Sequence, residues 1–367
     1  NAVSAAPIQP VEGKLSPALA EAMTAVVSSD FLASVVVAPA GAGKTSSLKA
    51  ARQAWEHAGK TVIGLAPTGK AADVMVGEHV AHESSTIARA LYGTEDLTPA
   101  QVAAQLGWNR DTVVVVDEAG MVATPDVVRL LEITQAAQAK IVLVGDPHQY
   151  AAVKSRSGML ATLAYELPDA VELTEVFRQR DVAEREASIQ LRSGDKDSIK
   201  RAAHWYMLQG RLDAGSTTAM LDDALAGWTS DTAAGKDSLL VAATGEQVQA
   251  LNAGAQKIRA DRGELDLSEA RELSTGQWLH AGDVLLTRKN DYDLLTSAGD
   301  VVRNGQRWRV DQLHGDGSIS ATRLDDTQAT ATIPASSLKD SGHLGYASTW
   351  HSAQGATVDV ARVVAGA

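Results

Sequence analysis

Residues 34–45 read SVVVAPAGAGKT, a run of β-branched residues that leads into a glycine-rich turn and then into a lysine and a threonine. Valine favours a strand, and glycines let successive backbone N–H groups curl around an anion without Cβ clashes. A helix that begins at Lys44 adds the positive end of its dipole. The order strand, loop, helix therefore predicts a phosphate cradle formed by Pro39, Ala40, Gly41, Ala42, Gly43, Lys44, Thr45 and Ser46.

Within this cradle, Lys44 can reach the β- and γ-phosphates of a nucleotide, and the Thr45 hydroxyl can ligate Mg²⁺. The loop departs from the pattern G-x-x-x-x-G-K-[ST] at one place, since Ala38 stands where the first glycine is expected. Alanine is tolerable there if its φ is negative. The alternative is a chance glycine-rich turn, which the combination of strand, GKT and helix disfavours.

A second run, Val113–Val116, ends in the acidic pair Asp117 and Glu118. In a nucleotide site, Asp117 would hold Mg²⁺ through water, and Glu118 would orient and deprotonate the attacking water. An acidic pair that merely faces a loop is the alternative. Because a series of βα units can bring both motifs to the carboxyl edge of one sheet, the two together favour nucleotide hydrolysis.

Apolar runs of four to six residues alternate with helical stretches on both sides of these motifs. Strands are predicted at 61–66, 112–116, 140–144 and 171–173, with helices at 44–58 and 125–136. This alternation predicts a parallel sheet that is covered on both faces. From residue 276 to about 338, short alternating runs separated by Gly, Asn and Asp predict a small antiparallel β-barrel instead.

Length, cysteine count and net charge limit the classes of protein to which the chain can belong. The chain has 367 residues, no cysteine and a net charge of −12. Its length predicts two or three domains, and the absence of thiols excludes disulfides and thiolate metal sites. The acidity argues against coating nucleic acid over the whole surface but permits a narrow basic channel. We see no signal peptide and no apolar run of ~20 residues that could span a bilayer, and we expect a cytoplasmic protein.

Four further stretches accompany GAGKT and VVVVDEAGM: APTGKAA at 66–72, GDPHQY at 145–150, LTEVFRQ at 173–179 and GYASTWHSAQG at 345–355. GAGKT and VVVVDEAGM resemble motifs I and II of superfamily 1 DNA helicases, in the RecD/TraI-like branch. The four further stretches resemble motifs Ia, III, IV and V of the same branch, and all six follow the family's order along the chain. The stretch DVAEREASIQLRSGD at 181–195 resembles the helicase portion of conjugative relaxase-helicases of the TraA/TrwC kind. The resemblance covers nearly the whole chain after residue 15.

The resemblance implies roles for individual residues. It implies that Gln149 senses the γ-phosphate and that Arg178 contacts it across a cleft, so the catalytic set is Lys44, Asp117, Glu118, Gln149 and Arg178. An ion pair between two lobes is the alternative for Arg178. Gln354 and Gly355 would approach the nucleotide, while Thr45 and Asp117 would hold the Mg²⁺ that accompanies ATP. Contacts to single-stranded DNA are implied for Pro67, Thr68, Lys70, Thr86, His351 and Ser352.

The fold implied is α/β, with two RecA-like P-loop lobes that contain parallel sheets and a small β-barrel inserted into the second lobe. A linker would occupy residues 1–14 and the first lobe, with the Walker A and B motifs, residues 15–180. The second lobe would be formed by 181–274 and 339–367, without its last strands, and the barrel by 275–338.

The activity implied is ATP-dependent translocation on single-stranded DNA and duplex unwinding, with 5′→3′ polarity, in conjugative plasmid transfer. A relaxase domain would precede these residues in the same polypeptide. The alternative is a vestigial, nucleotide-binding helicase module that grips single-stranded DNA without unwinding it. The family's motif VI arginine has no counterpart in residues 1–367, so we expect the chain to hydrolyse ATP poorly by itself.

The barrel segment also carries the best basic cluster of this acidic chain. Arg288, Lys289, Arg303, Arg307 and Arg309 lie close to Trp308 in sequence. This combination is typical of a single-strand path in which phosphates meet cations and bases meet an aromatic ring. A solvated barrel face is the alternative.

Overall fold

The computed structural model describes residues 7–9, 15–148, 159–175, 181–324, 327–353 and 358–366. The chain divides into two compact units, Asn1–Leu212 and Asp213–Ala367. The division falls some way after the predicted lobe boundary at residue 181, because two helices of residues 182–208 belong to the first unit. In this described part of the chain, no helix is both long and apolar enough to cross a bilayer.

The first unit is built on a six-stranded sheet in which every pair of neighbouring strands is parallel. The spatial order is β3-β2-β4-β5-β1-β6. The strands are β1 (Ala33–Val37), β2 (Thr61–Ala66), β3 (Glu83–Thr86), β4 (Thr112–Val116), β5 (Lys140–Gly145) and β6 (Val171–Glu172). The parallel sheet predicted from the apolar runs is thus confirmed. The polar edge strand β3 (ESST) was not predicted, because it has neither an apolar run nor alternation.

Helices cover both faces of this sheet. The helices of the first unit are α1 (Pro17–Ser28), α2 (Lys44–His57), α3 (Gly69–Gly77), α4 (Ile87–Ala90), α5 (Pro99–Gln105), α6 (Thr124–Ala137), α7 (Met159–Glu166), α8 (Val182–Arg192) and α9 (Lys196–Leu208), with a 3-10 turn at Ala119–Met121. Successive side chains of β4 point to opposite faces of the sheet. Val113 and Val115 join one buried cluster with Trp55 of α2, and Val114 joins the other with Leu130 of α6. This period of two fixes which face each helix covers.

The second unit contains a three-stranded parallel sheet and a larger antiparallel one, in the orders β17-β7-β18 and β15-β14-β13-β10-β16. Two hairpins, β8-β9 and β11-β12, accompany them. The strands are β7 (Ser238–Ala242), β8 (Asp266–Glu272), β9 (Trp278–Ala281), β10 (Val284–Thr287), β11 (Asp291–Leu295), β12 (Val301–Val302), β13 (Arg307–Leu313), β14 (Ile319–Arg323), β15 (Thr330–Ile333), β16 (Gly342–Leu344), β17 (Ala347–Thr349) and β18 (Val360–Val364). The helices are α10 (Thr217–Ala233), α11 (Gly245–Asp261), α12 (Ala335–Ser341) and α13 (Trp350–Ala353).

Trp308 lies in the core of the antiparallel sheet rather than beside the basic side chains on its surface. Its side chain is 0% exposed and packs in one cluster with residues such as Val310, Ile319 and Leu285. The expectation that Trp308 joins an exposed basic and aromatic cluster is therefore wrong. In a strand, residues next to each other point to opposite faces, so Arg307 and Arg309 flank Trp308 in sequence but not in space.

Replacing Trp308 by Ala should therefore unfold the second unit more easily. A buried tryptophan removed from a packed core costs about 3–5 kcal/mol, which urea unfolding measures as a lower midpoint. Trp278→Ala is the matched control, because Trp278 is 54% exposed. Equal effects of the two substitutions would contradict this placement of Trp308.

We expect Lys140 to make the free energy of unfolding depend on pH in the alkaline range. Its Nζ donates to the carbonyls of Ser29 and Phe31, at 3.1 and 2.9 Å. Burial lowers the pKa of this ammonium to about 8 from 10.5, and nearby Asp169 and Asp30 offset only part of the effect. Between about pH 8 and 10.5 the unfolded chain then binds more protons than the folded one, so stability rises with pH, by at most about 1.4 kcal/mol per unit.

The measurement is the free energy of unfolding at pH 7.5 and 9.5 for the wild type and for Lys140→Met. The rise seen in the wild type should be smaller in Lys140→Met. Lys200→Met, whose side chain is 78% exposed, should behave like the wild type. Parallel pH curves for all three proteins would rule out the effect.

Candidate functional site

The glycine-rich loop leaves the carboxyl end of β1 and turns back on itself before α2. Ala38 extends the pairing of β1, since its N–H donates to the carbonyl of Gly145 at 2.9 Å. Ala38 does not have a positive φ, so alanine fits where the pattern has glycine. Gly41 and Gly43 have φ of 81° and 73°, conformations that side chains with a Cβ rarely adopt. The two glycines thus give the loop the curl that a phosphate cradle needs.

Helix α2 begins at the end of this loop without a cap. Its N-cap residue is Gly43, which has no side chain that could accept a hydrogen bond from the first turn. The opening N–H groups of a helix carry the positive end of its dipole and need an acceptor. The first turn, which contains Lys44, Thr45 and Ser46, is therefore suited to an anion.

Lys44 joins this loop to the acidic pair at the end of β4. Its Nζ lies 2.7 Å from Asp117 Oδ1 and 2.9 Å from Glu118 Oε1. In the sheet, β5 separates β1 from β4, so the two motifs start about 10 Å apart and the long lysine stem spans the gap. The structure thus brings Lys44 into contact with Asp117 and Glu118, two predicted catalytic residues that lie far from it in sequence.

The charge of Lys44 is secured by these two carboxylates. Burial, the largest single influence, lowers the pKa of the ammonium, but Asp117 and Glu118 together outweigh it and raise the pKa above 10.5. Lys44 therefore stays protonated at neutral pH, as a ligand for phosphate oxygens must be.

Glu118 is held in an unusual backbone conformation. Its φ is 51°, in the left-handed region that favours glycine, and its N–H donates to Asp117 Oδ1 at 2.8 Å. A non-glycine residue in this region costs about 1–3 kcal/mol and persists only where its surroundings impose it. Such outliers cluster at functional sites, which agrees with a specific task for the Glu118 carboxylate.

The residues present fit a nucleotide with Mg²⁺. Lys44, the curled loop and the uncapped helix supply donors for phosphate, while the Thr45 hydroxyl and the Asp117 carboxylate are oxygen donors that flank Lys44. Mg²⁺ is usually bound by one or two protein oxygens together with phosphates and water. Accordingly, no cluster of three His, Asp or Glu side chains is required, and the described residues contain none.

Two threonines predicted to contact DNA start helices at the carboxyl edge of the same sheet. The Thr68 hydroxyl accepts from Ala71 N–H and caps α3, and the Thr86 hydroxyl accepts from Arg89 N–H and caps α4. Strands β2 and β3 are neighbours, with Ala66 beside Thr86. Each hydroxyl has a hydrogen that it can still donate to a phosphate. Pro67 lies in the link between β2 and α3, and Lys70 lies in the first turn of α3.

In the second unit, predicted DNA contacts follow the carboxyl end of β17. His351 and Ser352 belong to the short helix α13, and Ser352 Oγ accepts from Arg288 Nη1 at 2.7 Å. Of the basic cluster, Arg288 thus contacts this segment. Arg309 instead pairs with Asp311 at 3.0 Å. The remaining predicted site residues, Gln149, Arg178, Gln354 and Gly355, lie outside the described residues.

One buried contact next to the site was not predicted. Asp146, which follows β5, is 4% exposed and accepts from Arg192 Nε of α8 at 3.1 Å. Arg192 also pairs with Glu172 of β6 at 3.4 Å. A buried carboxylate needs such a partner, so Arg192 ties α8 to the sheet edge that carries the loop. The only sequence signal for it was the LRSGD stretch at 191–195.

The comparisons with known proteins agree with this geometry. A family model described as an AAA domain matches residues 14–217, and one described as an Rv2311 SH3-like barrel domain matches residues 272–340. The second match confirms the small β-barrel that the texture of residues 276–338 predicted.

The chain is also similar to curated proteins. It is 31% identical over 362 residues to the conjugal transfer protein TraA of Agrobacterium fabrum, covering 96% of the chain and 30% of that protein. It is 31% identical over 339 residues to a probable conjugal transfer protein TraA of Sinorhizobium fredii, covering 90% of the chain and 28% of that protein. The chain thus spans about 30% of the length of these curated relatives.

A solved structure described as that of PRRSV helicase is 18% identical, with a TM-score of 0.30, and the likeness covers 47% of the chain and 36% of that one. A score this low does not establish a shared fold.

Gly145 should tolerate no side chain, because the ends of β4 and β5 approach closely there. A Cβ at Gly145 would lie 3.0 Å from the backbone nitrogens of Ala119 and Gly120. We expect Gly145→Ala to cost about 1–3 kcal/mol of stability and to weaken binding of a fluorescent nucleotide. Gly77→Ala is the control, since a Cβ at Gly77 meets nothing within 4 Å. A Gly145→Ala chain that matched this control in both measurements would refute the constraint.

Proposed function

We propose that this chain, which belongs to the AAA domain family, is the ATP-dependent motor of a DNA helicase that acts in conjugal transfer. The single observation that carries the proposal is the contact of the Lys44 ammonium with Asp117 and Glu118, at 2.7 and 2.9 Å, beside an uncapped helix. A lysine held there is ready to exchange a carboxylate for a terminal phosphate.

In this proposal, different residues of the chain carry out different parts of ATP hydrolysis. Lys44 and the loop residues 39–46 would hold the phosphates, and Thr45 and Asp117 would hold Mg²⁺. When bound, Mg²⁺ would neutralise charge on the phosphate oxygens. Once Lys44 turns to phosphate, Glu118 has a carboxylate oxygen that can orient water and take its proton. Gln149 and Arg178 would complete the catalytic set by sensing and bracing the γ-phosphate.

We further propose that the second unit contributes a second RecA-like lobe around the parallel sheet β17-β7-β18. The lobe expected at residues 181–274 and 339–367 loses its first two helices, α8 and α9, to the first unit. We therefore propose residues 213–274 and 339–367 for the second lobe, residues 275–338 for the barrel and residues 1–14 for a linker, with residues 15–180 as the main part of the first lobe. The support is the parallel order of strands in a chain segment that continues the motif series. Gln354 and Gly355 would approach the nucleotide from this lobe.

The nucleic acid is proposed to be single-stranded DNA. Its phosphates would contact Pro67, Thr68, Lys70 and Thr86 on the first unit, and His351 and Ser352 on the second. Hydroxyl and backbone groups position a strand without reading its sequence. The resemblance to the RecD/TraI-like branch of superfamily 1 supports 5′→3′ translocation. The similarity to two TraA proteins supports conjugation, with a relaxase domain in the same polypeptide as a further partner.

The motor is tested by ATP hydrolysis with and without single-stranded DNA, using the 367-residue chain. Lys44→Ala should abolish nucleotide binding. Glu118→Gln should keep binding but reduce turnover by about 10²–10⁴-fold, because the general base is lost. Lys49→Ala is the control, since Lys49 is exposed on the same helix. Equal rates for Lys44→Ala and the wild type would disprove the proposal.

A strand-displacement assay separates the motor from a module that only grips DNA. The motor displaces a labelled strand, and the displacement disappears in Glu118→Gln. A vestigial module binds the strand with a salt-dependent affinity in both proteins and displaces nothing.

A further inference from the structure

A cavity of about 290 Å³ lies in the second unit, between the parallel sheet β17-β7-β18 and the barrel. Its wall includes Ser238, the first residue of β7, and Tyr346, which directly precedes β17. Because these strands are parallel, the cavity lies at the amino edge of the sheet. The predicted DNA contacts His351 and Ser352 follow the opposite, carboxyl edge.

Positive charge exceeds negative charge around this cavity. Four cationic side chains line it, against two carboxylates: Lys236, Arg259, Arg262 and Arg307 against Asp237 and Glu264. An excess of two positive charges in one small concavity is unusual for a chain with a net charge of −12. Such an excess attracts an anion, and the attraction is local because salt screens longer distances.

Two of the arginines are held in place by the protein. Arg259 donates to the carbonyl of Gly282 at 2.8 Å and to the Tyr346 hydroxyl at 3.1 Å, and it pairs with Glu264 at 2.8 Å. Arg307 donates to the carbonyl of Gly345 at 3.2 Å and pairs with Asp237 at 3.5 Å. Side chains positioned in this way lose little entropy when an anion arrives.

The other two cations keep most of their donors for a ligand. Arg262 has only a distant ion pair, 3.8 Å from Glu264. Lys236 is exposed and forms no ion pair with another side chain of the described ranges. Two preorganised guanidiniums, a third with spare donors and an ammonium therefore converge on one cavity.

The geometry points to a second phosphate-binding pocket at this edge of the sheet. We propose that it binds one phosphate group, as a monoester or a phosphodiester. Several cations around a compact space suit an anion whose oxygens accept from several directions. The volume is at the lower end for ligand pockets, so it admits a phosphate with little else attached.

The pocket is not built to read a base. Trp228 and Tyr346 line it but are 5% and 2% exposed, and they pack edge to face with ring centroids 5.8 Å apart. The Trp228 Nε1–H is used by the carbonyl of Ser238 at 3.1 Å. Stacking on a base needs an exposed ring face, so we expect recognition of phosphate without base preference.

The test compares paired variants of the whole chain in two binding assays. The first follows a labelled single-stranded oligonucleotide by fluorescence anisotropy at several salt concentrations. The second follows inorganic phosphate by calorimetry in a Lys44→Ala background, so that the glycine-rich loop does not contribute. The double variant Lys236→Ala/Arg262→Ala removes the two exposed cations and leaves the core intact.

If the pocket takes a phosphodiester of nucleic acid, the double variant binds the oligonucleotide about tenfold more weakly, and the salt slope falls by about 1. If the source is a free phosphate group, only phosphate binding weakens. Glu264→Gln, which removes an internal counter-ion, should strengthen whichever binding is present. The matched control Lys257→Ala removes a cation with a 73% exposed side chain outside the cavity and should change neither.

Unchanged binding of both ligands in the double variant and in Glu264→Gln would overturn the pocket and leave these ion pairs with a structural role. This outcome is independent of the proposed motor. Loss of ATP hydrolysis in Lys44→Ala tests the motor alone, and that substitution touches no residue of the pocket.

Discussion

The first unit depends on one ion-pair cluster, in which a single ammonium bridges two carboxylates at the edge of a parallel sheet. Lys44 can meet Asp117 and Glu118 only because β1 and β4 end at the same edge with one strand between them. The close approach of the ends of β4 and β5 in turn needs glycine at 120 and 145, where a Cβ would come within 3.0 Å of backbone atoms.

In the second unit, basic residues that the sequence groups into one cluster make separate contacts in the structure. Arg288, Arg307 and Arg309 are close in sequence, yet Arg288 contacts Ser352, Arg307 lines the cavity and Arg309 pairs with Asp311. The alternation of side chains along a strand separates neighbours, while the sheet joins residues from distant segments. A basic run in a barrel therefore distributes its charges over several surfaces.

The sequence predicted those features that depend on local chemistry. Runs such as Val113–Val116 are apolar and β-branched, so they predict buried strands, and the glycines of GAGKT predict the curl of the loop. It did not predict β3, because ESST has a polar composition and becomes a strand only by pairing with β2. It also missed Arg192, because a surface helix position becomes a partner of Asp146 only when α8 packs beside the sheet.

By itself, the sequence determined the α/β class, the glycine-rich loop before α2 and the identity of the three charged groups beside it. These follow from periodicity, from the backbone freedom of glycine and from the position of charges at strand ends, all of which are local. Tertiary structure alone decided that Trp308 is buried, that Lys44 reaches both acids, and that four cations from α11, β13 and two loops surround one cavity. Such contacts join residues far apart along the chain, and their distances depend on how strands are ordered and faces are covered.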